Sequence, residues 1–229
     1  VRRILWIGAH PDDEILIAPL LGRFCTEGTS RCSMLVLTRG EGGPCALPAG
    51  CGNDLGAVRD REMQEAAALF RGTATQWGFP DVMDGVANAW DAAAGGRDAL
   101  LGRLRSIVDV EDPTLIITFD PRHGTTCHPA HRHLGSLVHA AAGDERLFFV
   151  ETAAAPDGEG YRFSDALLDR SWSFDVVRSW SYLIADAIAH ASQFSATDVA
   201  ALAATPDEQR VVWLAPAAAA ERASPSVCP

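Results

Sequence analysis

The stretch Arg3-Ile4-Leu5-Trp6-Ile7-Gly8-Ala9-His10-Pro11-Asp12-Asp13-Glu14 decides how the rest of the chain reads. From Ile4 it is a short, continuously apolar run ending in two small residues, the pattern of a central strand buried on both faces. A histidine, two adjacent aspartates and a glutamate follow at once, delivered together to the end of that strand. Zinc accepts imidazole nitrogen and carboxylate oxygen, and its catalytic sites use three protein ligands and leave one position open for water. His10 and Asp13 fit as two ligands, with Asp12 free to face the water, whose pKa falls from about 16 toward 7 on such an ion. The blander alternative makes Asp12 and Asp13 helix caps and His10 a loop residue bonded to a carbonyl.

Working outward, Ile15 to Phe24 is apolar enough for a packed helix that starts or kinks near Pro19. Ser33 to Thr38 reads as a second strand and the Gly/Pro-rich stretch 40–56 as a long loop, a kind of loop that is usually functional or mobile. Helical spacing recurs over Arg59 to Phe70, Ala99 to Val110 and Leu134 to Ala142, with compact strands at Leu115 to Phe119 and Leu147 to Val150. This alternation predicts a single α/β domain with a mostly parallel sheet covered by helices on both faces. Ligands of such sheets bind beyond the carboxyl ends of the strands, where the polar motifs fall.

The bulk composition narrows the function classes. A chain of 229 residues can bury one sizeable core, and 48% hydrophobic with 21% charged residues is ordinary for a globular protein. With 30 acidic against 19 basic side chains, the net charge of -11 repels phosphate backbones and argues against a nucleic-acid partner. No uninterrupted apolar run reaches the roughly 18 residues a membrane span needs. The chain starts at Val1 rather than Met, consistent with a targeting segment upstream, and nothing in it signals an oligomeric state. Six cysteines, with Cys25/Cys32 and Cys45/Cys51 each bracketing a short loop, leave disulfides and free thiols both open and raise an extracytoplasmic location as an expectation.

A second polar motif, Asp120 to His133, follows the Leu115–Phe119 strand and holds four histidines. The residues alone leave His123, His131 and His133 open as further ligands. Cys127 reads as a small buried residue, with zinc binding as its alternative. Trp77, Phe79, Trp90 and Trp180 are sugar-stacking candidates that serve equally as core.

His10-Pro11-Asp12-Asp13-Glu14 together with the later His128-Pro129-Ala130-His131 resembles the LmbE-like/PIG-L family of zinc-dependent N-acetylglucosaminyl deacetylases. Thr38-Arg39-Gly40-Glu41, Arg59 with Glu62, Gly78-Phe79-Pro80-Asp81 and His190-Ala191-Ser192-Gln193 resemble further family segments in the same order. The resemblance implies a Rossmann-like domain, taken as residues 1–215 and followed by an Ala/Pro-rich tail, 216–229. It implies one zinc ion per chain on His10, Asp13 and His131, with Asp12 as general base and His128 stabilising the oxyanion. The implied substrate is a small N-acetylated amino sugar, with Arg59 and Glu41 as candidate contacts. Ala130 departs from the family pattern, which has aspartate there; such a carboxylate would orient His128 and favour its charged form. Asp120 is a candidate to replace it. The departure also motivates a non-catalytic carbohydrate-binding relative, and the metal chemistry alone admits hydrolysis of other amides or of phosphoesters.

Overall fold

The computed structural model describes residues 2–151, 175–210, 212–217 and 228. The strands are β1 (Arg3–Gly8), β2 (Arg31–Thr38), β3 (Thr73–Phe79), β4 (Leu115–Phe119), β5 (Leu147–Glu151) and β6 (Trp213–Pro216). They form one sheet in the order β3-β2-β1-β4-β5-β6, parallel throughout except for the antiparallel β5/β6 pair. The expected α/β class and Rossmann-like order are therefore what the chain adopts. β1 and β4 are buried because both lie inside the sheet under helices, which is why both read as unbroken apolar runs. Trp6 on β1 packs edge-on to Phe119 on β4, ring centroids 5.4 Å apart, at the centre of the core.

Connecting helices are α1 (Ala18–Leu21), α2 (Leu55–Leu69), α3 (Val86–Ala94), α4 (Arg97–Glu111), α5 (Gly124–Cys127), α6 (Pro129–Ala142), α7 (Val176–Ala189) and α8 (Ala196–Ala203). α1 and α2 pack with α7, while α3 and α4 pack with α6. The helix expected over residues 15–24 is instead a relay of three short turns: a 3-10 turn over Asp13–Ile17, then α1, then a wider turn over Gly22–Thr26. Pro19 can sit only in a first turn, and α1 accordingly begins at Ala18. The long loop ends at Asp54, two residues before the expected boundary, because its Oδ1 accepts the Ala57 N–H at 2.8 Å and caps α2.

Strand order reverses between β1 and β4, so their carboxyl ends open a crevice into which the residues after each strand project. One close approach fixes α6 over that crevice. At Gly135 any Cβ would lie 2.3 Å from the Phe119 carbonyl oxygen, so only glycine lets the helix seat against β4. The tail expected from residue 216 starts on the last residue of β6, the next residue, Ala217, is buried, and Cys228 is bonded to Cys127.

Candidate metal centre and active site

His10 and Asp13 leave the end of β1, and His131 enters from the first turn of α6. Pro129 starts that helix, with His128 as its N-cap, so the spacing His128-Pro129-Ala130-His131 places both histidines at the helix entrance. His131 Nε2 lies 3.1 Å from His10 Nδ1 and 3.1 Å from Asp13 Oδ1. Each remaining polar atom of the three is engaged elsewhere. Asp13 Oδ2 accepts the Ala9 and His10 N–H groups at 2.8 and 2.7 Å, His131 Nδ1 meets the Gly124 carbonyl at 2.9 Å, and His10 Nε2 faces Asp81 Oδ1 at 3.3 Å. Ligand atoms of His10, His128 and His131 lie within 4.8 Å of one another, with Asp13 Oδ1 against His131, so this cluster offers imidazole nitrogens and a carboxylate oxygen of the kinds a zinc-class cation uses. His131 also stacks on Phe119, rings parallel at 3.9 Å, which fixes its plane.

The electrostatics follow from this convergence. Burial opposes charge on both His10 and Asp13. For Asp13 the imidazoles of His131 and His10 prevail and hold it well below the carboxylate range. Burial likewise lowers His10, but Asp13 and then Asp81 overcome it and raise His10 to about 10 in the absence of a cation. Asp12 projects into the same cavity from a residue at φ 105°, a left-handed conformation that costs a non-glycine residue strain and is concentrated at functional sites. Burial, then the charge of Asp13, pushes its carboxyl up to about 8.

His128 faces both metal-site histidines, with ring centroids 4.8 Å from His10 and 4.7 Å from His131. Burial, followed by repulsion from those two rings, lowers it to about 4. Its Nδ1 accepts the Ala130 N–H at 3.3 Å, so the neutral ring carries its proton on Nε2. Asp120 does not take the place of the missing aspartate. One of its oxygens accepts from the Arg122 backbone and side chain at 3.2 and 3.3 Å, and the other lies 3.9 Å from His123. His123 is thereby drawn to Asp120, and His133 packs against Trp90 and Arg97, leaving His131 as the histidine of this segment beside Asp13.

A cavity of about 420 Å³ opens over these groups, bounded also by Arg59, Asp81 and Met83. Arg59 is buried and donates to the Gly40 and Pro44 carbonyls and to Ser192 Oγ, so it braces the long loop as well as facing the cavity. Glu41 lies outside the cavity lining; its carboxylate accepts the Arg39 and Asp81 N–H groups at 3.2 Å each. Asp81, in the sequence part of a Pro-Asp segment with no local sign of a partner, supports His10 from the far side of the cavity. It is held there by the Gly42 N–H at 3.0 Å, while Trp90 donates to the preceding Pro80 carbonyl at 3.0 Å. Trp90, Phe79 and Trp180 are core residues, and Trp77 lies under the Arg103 guanidinium at 4.3 Å. Cys127 is not an unmodified thiol: it pairs with Cys228, alongside the Cys25–Cys32 and Cys45–Cys51 disulfides.

Fold and site together define a Rossmann-like α/β protein with a candidate metal centre among His10, Asp13, His128 and His131 at its topological switch point. Residues 5–142 match the PIG-L family, described as GlcNAc-PI de-N-acetylase, and the chain belongs to that family. It is similar to a 1D-myo-inositol 2-acetamido-2-deoxy-alpha-D-glucopyranoside deacetylase of Actinosynnema mirum, with 28% identity over 73% of this chain and 65% of that protein. The chain therefore spans somewhat under two thirds of that relative's length. Among solved structures, a conserved protein of Thermus thermophilus shares the fold with a TM-score of 0.60 at 22% identity, covering 94% of this chain and 93% of that one. The 4-carboxy-2-hydroxymuconate hydratase GalB of Pseudomonas putida shares it with a TM-score of 0.64 at 14% identity, covering 88% and 82%.

Proposed function

We propose that this protein is a zinc-dependent hydrolase that removes the acetyl group from an N-acetylglucosamine-type substrate. The observation that carries the reading is the convergence of His10 Nδ1, Asp13 Oδ1 and His131 Nε2 beside Asp12 at the floor of one cavity. When bound there, zinc supplies a Lewis acid that polarises the amide carbonyl and acidifies a water molecule. Asp12, held in the cavity by its strained backbone beside Asp13, is placed to act as the general base that takes the proton of the attacking water. His128, neutral and carrying its proton on Nε2, donates to the oxygen on which negative charge develops. With alanine at position 130, His128 is oriented by a backbone N–H in place of a carboxylate, which suits a neutral donor better than an imidazolium acid. Arg59 and Asp81 border the cavity where sugar hydroxyls would sit. Relatives named as deacetylases of N-acetylglucosaminyl compounds support the substrate class.

Asp12→Asn tests the reading. Turnover of N-acetylglucosamine glycosides should fall by about a hundred- to ten-thousandfold with bound zinc unchanged. A wild type that binds zinc yet is inert on a broad panel of N-acetyl sugars would instead favour a carbohydrate-binding relative, the reading that Ala130 motivates. The three disulfides support an oxidising compartment for the chain.

A further inference from the structure

Behind the catalytic turn lies a second group of metal-ligating side chains that the mechanism does not use. Glu14 follows Asp13 directly, while Asp186 and His190 stand one helical turn apart at the end of α7, on the same face. All three are fully buried, and their ligand atoms lie within 4.8 Å of one another. His190 Nε2 meets Glu14 Oε1 at 2.6 Å, and Gln193 Nε2 lies 3.3 Å from His190 Nδ1. Glu14 Oε2 and both oxygens of Asp186 have no hydrogen-bond partner among the described residues.

Three buried carboxylate oxygens without donors are unfavourable unless something positive neutralises them. A proton is one such agent, and burial together with the charge of Glu14 raises Asp186 well above the carboxylate range. One shared proton, however, bridges a single pair of oxygens, and three oxygens here lack a donor. A divalent cation engages several at once. One imidazole with two carboxylates is a donor set for zinc or manganese rather than for the all-oxygen cages of calcium or magnesium.

We infer that Glu14, Asp186 and His190 form a second, structural site for a divalent transition-metal cation, separate from the His10/Asp13/His131 centre. Loading it displaces the proton on His190 Nε2 and the proton held by Asp186, both of which leave to solvent, and ties the end of α7 to the turn carrying Asp12 and Asp13. The site does not depend on the catalytic assignment.

The test uses the full chain, stripped with a chelator, reloaded with excess zinc chloride, desalted and measured for zinc per molecule. Two ions in the wild type, one in His131→Ala and one in Asp186→Asn is the expected pattern. One ion in the wild type and none in His131→Ala would overturn the inference, as would two ions retained in Asp186→Asn. A His131→Ala protein that keeps both ions, with Asp186→Asn keeping one, would refute the catalytic centre and leave this site standing. A measurement that needs no substitution in the cluster guards against misfolding: zinc should raise the melting temperature of His131→Ala, since a ligand bound only by the native state stabilises it. The absence of any rise in that variant counts against the site.

Discussion

Two glycine-to-alanine changes, identical in chemistry, should move stability in opposite directions. Gly102 is exposed on α4, and a Cβ there meets nothing within 4 Å. Alanine at 102 gains helix propensity and loses unfolded-state entropy, worth about 0.5–1 kcal/mol of stabilisation. Gly135 lies in α6 with the same propensity to gain, but its added Cβ would stand 2.3 Å from the Phe119 oxygen and 2.9 Å from Pro121 N. Restoring ordinary contact requires α6 to retreat by about 1 Å, and overpacking of that kind costs about 1–3 kcal/mol. Net of the helix gain, Gly135→Ala should lose roughly 1–2 kcal/mol in urea unfolding. The retreat also carries His131 off Phe119, where it stacks at 3.9 Å, and away from Asp13, 3.1 Å from its Nε2. Zinc affinity, measured against a competing chelator, should therefore fall about tenfold or more, as a displaced ligand predicts. If Gly135→Ala matched Gly102→Ala in both assays, the close seating of α6 on β4 would not be what positions His131.

Asp81→Asn removes the carboxylate behind His10, and zinc affinity should drop about 10- to 100-fold by chelator competition; an unchanged affinity would mean that Asp81 does not support the ligand. His10, raised to about 10 without a cation, must release a proton to bind one, so zinc affinity should climb up to about tenfold per pH unit from 6 to 9, with calorimetry in buffers of different ionisation enthalpy detecting the released proton. A flat profile would contradict the coupling of His10 to Asp13. Replacing Cys127 and Cys228 with serine should destabilise the protein by roughly 2 kcal/mol more than replacing Cys45 and Cys51, because the first pair closes 101 residues of chain and the second only 6. Equal losses by denaturant titration would refute that reasoning.

The centre of the fold was legible because β1, β2 and β4 are buried on both faces and so carry unbroken apolar runs. β3 was not: as an edge strand it alternates exposed and half-buried residues through Thr73 and Gln76, and resembles a loop. The clustering of His10 with Asp13 and of His128 with His131 could be read locally, since each pair lies within four positions of sequence on a segment that follows a core strand. Their supports could not. Asp81 reaches His10 across 71 positions, and Cys228 reaches Cys127 across 101, distances over which sequence pattern carries no pairing signal. Glu41, the expected sugar contact, illustrates the converse: a loop carboxylate looks the same whether it meets a ligand or holds a backbone N–H, and here it holds Arg39 and Asp81.

The Cys127–Cys228 bond also sets a timetable for biosynthesis. Cys127, next to His128, waits for a partner 101 residues further along, about 5–20 s of translation at ordinary speeds. During that interval Cys127 is an unpaired thiol, open to mispairing with the cysteines already made. Cys25 with Cys32 and Cys45 with Cys51 close over 7 and 6 residues and can form as each hairpin-sized segment emerges. Early closure of these two short rings removes four competitors, so that the long ring, which anchors the segment before His128, has one partner left to find.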